Sequence, residues 1–193
     1  MKRRDFAIHS VAAASLASLP LASLAQKRKD AVIMGMTLEP PGLDPTAGAA
    51  SAIAEIVLYN IFETLTKINS DGTVSPLLAE SWEVSPDLKT YTFKLRKGVK
   101  FQNGEPFNAA AVKFSFERAA AEKSTNKDKR TFASMERVGV VDDYTVVVIN
   151  KELNPDFLFL MGQATAVIVE PKSADTNATK PVGTGPYKLD SWK

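Results

Sequence analysis

The amino-acid sequence predicts a mixed α/β fold in which antiparallel hairpins form a sheet and helices flank it. Between residues 76 and 107, apolar and polar side chains alternate at a period of two, which is typical of antiparallel strands with one buried and one wet face. An alanine-rich run at residues 109–121 then carries apolar side chains at helical spacing. Turn residues such as Pro86, Asp87 and Gly104 separate the apolar runs, so the elements are short and closely connected.

Short elements precede this region. Residues 31–37 form an apolar run that predicts a strand, and the proline-rich loop after it excludes a helix. Residues 51–61 predict a helix capped by Ser51, because their apolar side chains recur at helical spacing. Residues 65–68 predict another strand, and residues 69–72 predict a tight turn.

The densest pattern is a strand–turn–strand unit. Trp82 and Val84 alternate with polar neighbours, and residues 85–88 have turn chemistry, with Pro fixing φ and Asp free to bond its own backbone. Val99 and Phe101 continue the same alternation further along the chain. Between these runs, three side chains fall on one face of the second strand: Tyr91, Phe93 and Leu95.

A second turn and a helix complete this unit. The Asn103-Gly104 pair tolerates positive φ, and Asn108 is placed to cap the helix predicted at residues 109–121. Ala111 stands where a capping box has an acidic residue. We expect this departure to cost about 0.5–1 kcal/mol of local stability.

The remainder of the chain predicts a solvated loop, a second hairpin, a short apolar helix, a buried strand and a final strand. In order, these are loop 122–130, strands 138–141 and 144–149 around an Asp142-Asp143 turn, helix 157–162, strand 167–169 and a strand beginning at Tyr187. The Gly-Thr-Gly-Pro-Tyr string at residues 183–187 lacks the Lys-Ser/Thr ending of a phosphate loop. Its glycines predict a sharp chain reversal instead.

Composition excludes several classes of function. The 193 residues are 45% hydrophobic and 24% charged, which is typical of a globular protein with one sizeable core. Cysteine is absent and the single histidine is His9, so the rest of the chain offers neither a Ser-His-Asp triad nor an ordinary zinc site. We therefore expect no enzyme activity, no catalytic residue, no metal and no cofactor.

The first 25 residues predict an export signal. A basic start containing Arg3 and Arg4 precedes an apolar stretch and a small-residue cleavage site, with cleavage expected between Ala25 and Gln26. The Arg-Arg-Asp-Phe string is similar to a twin-arginine motif, and an ordinary Sec signal with adjacent basic residues is the alternative. The segment holds three basic residues and one acidic residue, and the rest of the chain carries 21 of each sign. We therefore expect a periplasmic protein that binds no nucleic acid and has no membrane span after signal removal.

Two strings together resemble a known family. The first string lies between residues 76 and 107, and the second is the Gly-Thr-Gly-Pro-Tyr string at 183–187, about eighty residues later. The matching residues of the first string are Pro76, Leu78, Ala79, Trp82, Tyr91, Phe93, Leu95, Arg96, Val99, Phe101, Gly104, Pro106 and Phe107. Both resemble the extracytoplasmic solute-binding proteins of family 5, the peptide/nickel/opine class that serves ABC importers. The resemblance implies part of a lobe of a type II periplasmic-binding-protein clamshell, with residues 26–193 as the N-terminal part and the second lobe absent.

The resemblance also implies where a solute would bind. A strand followed by a Leu-Asp-Pro loop lies at the cleft edge in this family, so Glu39, Pro40 and Pro41 are candidate ligand-binding residues. Phe132 lies where the family often has an aromatic near the ligand. The alternatives are a rigid surface turn in which Asp44 caps the next segment, and an ordinary core or surface position for Phe132.

By resemblance, the full-length protein captures a small solute, most commonly a peptide, and delivers it to an inner-membrane ABC importer as a monomer. An incomplete clamshell cannot close on a ligand by hinge motion. Its strands would leave an exposed edge where the missing portion pairs, so we expect the chain alone to be weakly stable or prone to aggregation. Two other functions remain open at this point. An exported hydrolase would use paired carboxylates such as Asp142-Asp143 or Glu80 with Glu83, and a periplasmic chaperone or sensor would bind unfolded chains or a receptor.

Overall fold

The computed structural model describes residues 33–192, which contain short helices and two antiparallel sheets. The helices are α1 (Ser51–Val57), α2 (Ala109–Ala120), α3 (Lys129–Ala133) and α4 (Phe157–Leu160). The strands are β1 (Thr66–Ile68), β2 (Val74–Pro76), β3 (Ala79–Val84), β4 (Thr90–Leu95), β5 (Met135–Asp142) and β6 (Thr145–Asn150). The predicted export signal and the leader after it lie outside the described residues.

The larger sheet has the strand order β3–β4–β6–β5, and every neighbouring pair is antiparallel. The predicted hairpin is confirmed, since Trp82 lies opposite Phe93, and Phe93 lies opposite Val146 on the next strand. Tyr91 and Phe93 are buried on the central strand, whereas Trp82 on the edge strand is half-buried. β1 and β2 form a separate two-stranded sheet.

Helix α2 covers one face of the larger sheet, packing across β5 and β6. Its side chains Val112, Phe116 and Ala119 are at most 3% exposed and belong to the main hydrophobic core. The predicted cap is confirmed, because the Asn108 side chain accepts a hydrogen bond from the Ala111 backbone N–H at 3.1 Å. The helix therefore begins where the sequence places it and buries the predicted face.

A second, smaller core surrounds helix α1. Its buried side chains come from the loop before α1, from α1 itself and from two later segments: Leu43, Ile53, Val57, Ile61, Phe62, Val167, Val169 and Ala174. The segment 167–169 contributes to both cores, because Ile168 belongs to the main core while its two neighbours belong to the smaller one. This segment thus joins the two cores.

Several predicted elements differ in the structure. No strand is present at residues 33–37, the described part of the expected first strand. Helix α1 ends at Val57, and Ser51 is its first helical residue instead of its cap, since Ala50 holds the capping position without a side-chain hydrogen bond. Residues 129–133 form the short helix α3 at the end of the expected loop and beyond it.

The expected strands after α4 are also absent as paired strands. Residues 167–169 are buried but join no sheet, and their backbone makes only isolated hydrogen bonds, such as that from the Ile168 N–H to the Glu63 carbonyl at 2.9 Å. Residues 187–189 belong to no strand. Earlier in the chain, where the alternating pattern continues through Val99 and Phe101, Lys100 makes only an isolated bridge with Pro106. Apolar patterning alone does not distinguish a buried extended segment from a strand. Within residues 33–192, no helix has the length and apolar character needed to cross a membrane.

We predict that Leu88→Gly stabilises the protein. Leu88 ends the β3–β4 turn at φ 54°, a left-handed conformation that strains a residue with a β-carbon, and its side chain is 37% exposed. The free energy of unfolding in urea should rise by about 0.5–1 kcal/mol. Tyr59 is the matched control at φ 61°, because its hydroxyl donates to the Gly162 carbonyl and accepts from the Ile68 N–H. Tyr59→Gly should destabilise the protein, and an unchanged or lower stability of Leu88→Gly would contradict the strain argument.

Candidate functional site

The proline-rich loop at residues 39–46 holds three of the predicted ligand-binding residues. Glu39 and Pro41 are exposed, whereas Pro40 between them is buried. Further along, Leu43 is buried in the smaller core, and its backbone N–H donates to the Ala178 carbonyl at 2.9 Å. The loop is therefore fixed by its contacts with the smaller core and with Ala178, and its Glu39 carboxylate lies at the surface.

An ion pair between a buried carboxylate and a partly buried arginine fixes the far end of this loop. Asp44 is 4% exposed, and its carboxylate accepts hydrogen bonds from the Thr46 N–H at 2.8 Å and the Thr46 hydroxyl at 2.6 Å. Arg118, on α2, donates to the same carboxylate at 3.2 Å and to the Ala174 carbonyl at 3.3 Å. The local bonds to Thr46 agree with the turn-capping role considered for Asp44, and Arg118 adds a tether to α2.

Trp192 is a site residue that the sequence analysis missed. Its indole N–H donates to the Glu39 carboxylate at 2.8 Å, and its side chain is 39% exposed. Because 153 positions separate the two residues, no local pattern could predict this contact. The bond orients the Glu39 carboxylate and leaves its remaining lone pairs available to a ligand.

The structure places Phe132 in the main core. This side chain lies on α3, is 3% exposed, and its ring packs against Phe116 with centroids 5.6 Å apart. Glu39 and Pro41 are surface residues, so the four predicted site residues do not form one continuous exposed surface. Its surroundings in the structure are those of an ordinary core residue, which was the alternative considered for Phe132.

The Gly-Thr-Gly-Pro-Tyr string crosses residues 60–62 with backbone against backbone. Gly185 N–H donates to the Ile61 carbonyl at 2.9 Å, and Tyr187 N–H donates to the Asn60 carbonyl at 3.0 Å. A β-carbon at Gly183 would overlap the Ile61 carbonyl oxygen, and one at Gly185 would overlap that of Asn60. The two glycines are therefore required by close approach of the backbones.

Gln102 joins this crossing to the loop between β4 and α2. Its backbone N–H donates to the Gly183 carbonyl at 2.9 Å, and its side-chain amide donates to the carbonyls of Gly185 at 3.0 Å and Tyr187 at 2.5 Å. One polar side chain thereby connects the two strings on which the family resemblance rests.

A buried carboxylate lies beside the same loop. Glu170 is 2% exposed and accepts hydrogen bonds from the Asn103 side chain at 3.1 Å and the Lys172 backbone N–H at 2.9 Å. Burial raises the pKa of this carboxyl, but the bonds from Lys172, Ser173 and Asn103 outweigh burial and hold the pKa below its usual range. Glu170 is thus a charged structural group that links Asn103, in the loop before α2, to residues 170–173.

The paired acids considered for a hydrolase are all exposed. Asp142 and Glu80 line an open pocket of about 490 Å³ that also contains Lys94 and Lys97. Hydrogen bonds from the Tyr144 N–H and from Thr145 lower the pKa of Asp142, so it stays ionised and does not suit a general acid. Among residues 33–192, no group of three or more His, Cys, Asp or Glu side chains is placed to hold a metal ion.

Comparison with known proteins identifies the family. Residues 73–193 match the family described as bacterial extracellular solute-binding proteins, family 5 Middle. The chain belongs to this family. The resemblance found in the two strings is thereby confirmed, and the match includes the four-stranded sheet, α2 and the glycine string at residues 183–187.

Family 5 relatives are substantially longer than this chain. The glutathione-binding protein GsiB of Escherichia coli is 32% identical over 192 residues, which cover 96% of this chain and 37% of GsiB. The chain thus spans a little over a third of that relative. The relatives found are solute-binding proteins for transport and not enzymes.

Solved structures share the same fold. The periplasmic binding protein AgaA from A. tumefacien, in complex with agropinic acid, has a TM-score of 0.74 and 32% identity, covering 80% of this chain and 32% of AgaA. OppA from Haemophilus influenzae, in complex with the peptide RPPGFSPFR, has a TM-score of 0.73 and 28% identity, covering 80% of this chain and 34% of OppA. The predicted fold class, a mixed α/β lobe with antiparallel hairpins and flanking helices, is confirmed by these structures.

We predict that Gly183→Ala strongly destabilises the protein. The new β-carbon would meet the backbone of Ile61, which cannot move without breaking the crossing, so the free energy of unfolding should fall by about 3 kcal/mol or more. Gly139→Ala is the matched control, since a β-carbon there makes only ordinary contacts of 3.6–3.9 Å, with the Arg137 side chain on β5 and the Val147 carbonyl on β6. Urea denaturation should show Gly139→Ala unchanged or slightly stabilised. Equal stability of the two variants would mean that the crossing tolerates a side chain.

Proposed function

We propose that the chain is part of the periplasmic substrate-binding component of an ABC importer for peptides or related small solutes. The observation that carries this proposal is the Glu39 carboxylate, exposed on a fixed loop and oriented by Trp192, in a fold shared with solute-binding proteins. The relatives named above bind glutathione, agropinic acid or a peptide. Glutathione and peptides carry amino and amide N–H groups, which are donors that a carboxylate accepts.

We propose that Glu39 contacts the solute directly and that Pro40, Pro41 and Phe132 support the site. Glu39 would accept a hydrogen bond from the solute or form an ion pair with it. Pro40 and Pro41 would hold the backbone of the loop around Glu39 in position. Phe132 would act from the core by supporting α2, since its ring packs on Phe116. We add Trp192 as the residue that positions the Glu39 carboxylate.

Calorimetric titration tests the binding proposal. Titrating the protein with glutathione, and separately with trialanine, should give saturable heat with at least one solute and no cleavage of trialanine by chromatography. Glu39→Gln should weaken that binding about tenfold or more, because it removes a charge-assisted hydrogen bond. Glu105→Gln is the matched control, because Glu105 pairs with Lys172 at 2.7 Å, away from the proline-rich loop, and binding should be unchanged.

Three outcomes would contradict this proposal. Absence of saturable heat with both solutes would argue against solute capture by this chain. Cleavage of trialanine would favour the hydrolase alternative. Equal binding by Glu39→Gln and the wild-type protein would remove Glu39 from the site, and a preference for an unfolded protein chain over both solutes would favour a chaperone.

We also propose that residues 1–25 direct export and are removed between Ala25 and Gln26. Support comes from the basic start, the apolar stretch and the small residues before the cleavage point, together with membership of an extracellular family. Mass spectrometry of the periplasmic fraction of a Gram-negative host should detect a chain that begins at Gln26. Replacing Arg3 and Arg4 by Lys should abolish export through the twin-arginine route and leave Sec export intact. Retention of an uncleaved chain in the cytoplasm of the wild type would contradict the proposal.

A further inference from the structure

Within residues 33–192, strand β5 has no neighbouring strand on its outer side and forms an edge of the larger sheet. It pairs with β6 on one side only, and its last residues include two exposed apolar side chains, Val140 at 45% and Val141 at 64%. An edge strand presents unpaired backbone N–H and C=O groups, which are a template for pairing with another chain. The exposed valines make this edge especially favourable for such pairing.

A groove runs along this edge. It has a volume of about 460 Å³ and lies between β5 and helix α2. On the strand side it is lined by six consecutive residues, 135–140, and on the helix side by Phe116, Ala120 and two charged residues, Lys113 and Glu117. An apolar floor beside a free edge fits an added β-strand, which would bond to the edge and place alternate side chains in the groove.

Lys113 occupies the middle of the edge. Its amine donates to the Val138 carbonyl at 3.2 Å, so this outward-facing acceptor is satisfied by a side chain instead of a neighbouring strand. The same amine pairs with Glu117 at 2.5 Å, one turn further along α2. The Lys113 side chain remains 42% exposed, which keeps its charge in water while its amine covers the edge.

Irregular pairing protects the two ends of the strand. The β5–β6 register shifts between Met135 and Arg137 and again between Val140 and Asp142. Such irregularities interrupt the ladder and discourage a further strand. The regular stretch between them is residues 137–140. Among the described residues, Lys113 is the only side chain from outside the sheet that bonds to this stretch, at the Val138 carbonyl.

We propose that Lys113 is a gatekeeper that prevents β5 from pairing with the β5 edge of a second copy of the chain. A second copy is the expected partner because β5 carries charges of both signs, Glu136 and Asp142 against Arg137. Antiparallel pairing centred between residues 139 and 140 would place Arg137 of each copy opposite Asp142 of the other. Antiparallel pairing about a two-fold axis would bring the same apolar stretch against itself. The ammonium group of Lys113 blocks that approach, because pairing would bury its charge and displace it from Val138.

Lys113→Met tests this proposal. Methionine keeps the unbranched chain and the helix propensity of lysine, so α2 should be retained. In sedimentation velocity over a range of concentrations, the variant should self-associate at least about tenfold more tightly than the wild-type chain. Hydrogen exchange of the amides at residues 137–141 should slow as its concentration rises. Lys113→Gln, whose side chain is shorter, should behave in the same direction.

Glu117→Gln is the matched control. It removes the ion pair on the same helix face but leaves the Lys113 amine beside the Val138 carbonyl, so it should sediment as the wild type does. Adding Val140→Lys to Lys113→Met should restore wild-type sedimentation by returning a charge to the edge. The proposal is overturned if Lys113→Met and Lys113→Gln both match the wild type at every concentration, or if Glu117→Gln self-associates to the same extent.

Discussion

The rest of the structure depends on the backbone crossing between residues 183–187 and residues 60–62. Two polypeptide backbones can approach this closely only where side chains are absent, so Gly183 and Gly185 decide whether the contact forms at all. Once formed, it is held by backbone hydrogen bonds and by Gln102, which reaches both Gly185 and Tyr187. The crossing thereby attaches the end of the described chain to the segment after α1. The position of Trp192, and with it the orientation of Glu39, follows from that attachment.

The two hydrophobic cores are arranged around this crossing. The larger core fills the space between α2 and the four-stranded sheet, and the smaller one surrounds α1. Segment 167–169 alternates its side chains between them, so each core restrains the other through a single extended stretch of chain. Its backbone is satisfied from both sides, because Ile168 donates to the Glu63 carbonyl at 2.9 Å and the Val169 N–H donates to the Ser115 hydroxyl at 3.0 Å. Burial without a sheet is possible here because these bonds replace a ladder.

The sequence predicts the local features well and the long-range ones poorly. The β3–β4 hairpin and the Asn108 cap follow from side-chain periodicity and short-range hydrogen bonding, which a few neighbouring residues determine. Segment 167–169 was expected to be a strand because an apolar run shows burial but not its pairing partner. Of the candidate site, the exposed loop carboxylate was predicted through family resemblance. Its contact with Trp192 was not, because it depends on how the whole chain folds back.

Helix α2 connects the segment between the cores, the proline-rich loop and the edge of the larger sheet. Three of its polar residues each bond to a different one of these parts. Ser115 accepts from the Val169 N–H and so bonds the helix to the segment between the cores. Arg118, one turn later, binds the buried Asp44 carboxylate and fixes the far end of the proline-rich loop. Lys113 reaches in a third direction, to the Val138 carbonyl on the sheet edge. The apolar face of α2 is buried in the main core, so α2 moves as one unit with that core. A displacement of the helix would therefore weaken the bonds of Ser115, Arg118 and Lys113 together. Precise placement of the loop that carries Glu39 is therefore coupled to packing in the sheet, even though no residue of the larger sheet belongs to the proposed ligand site.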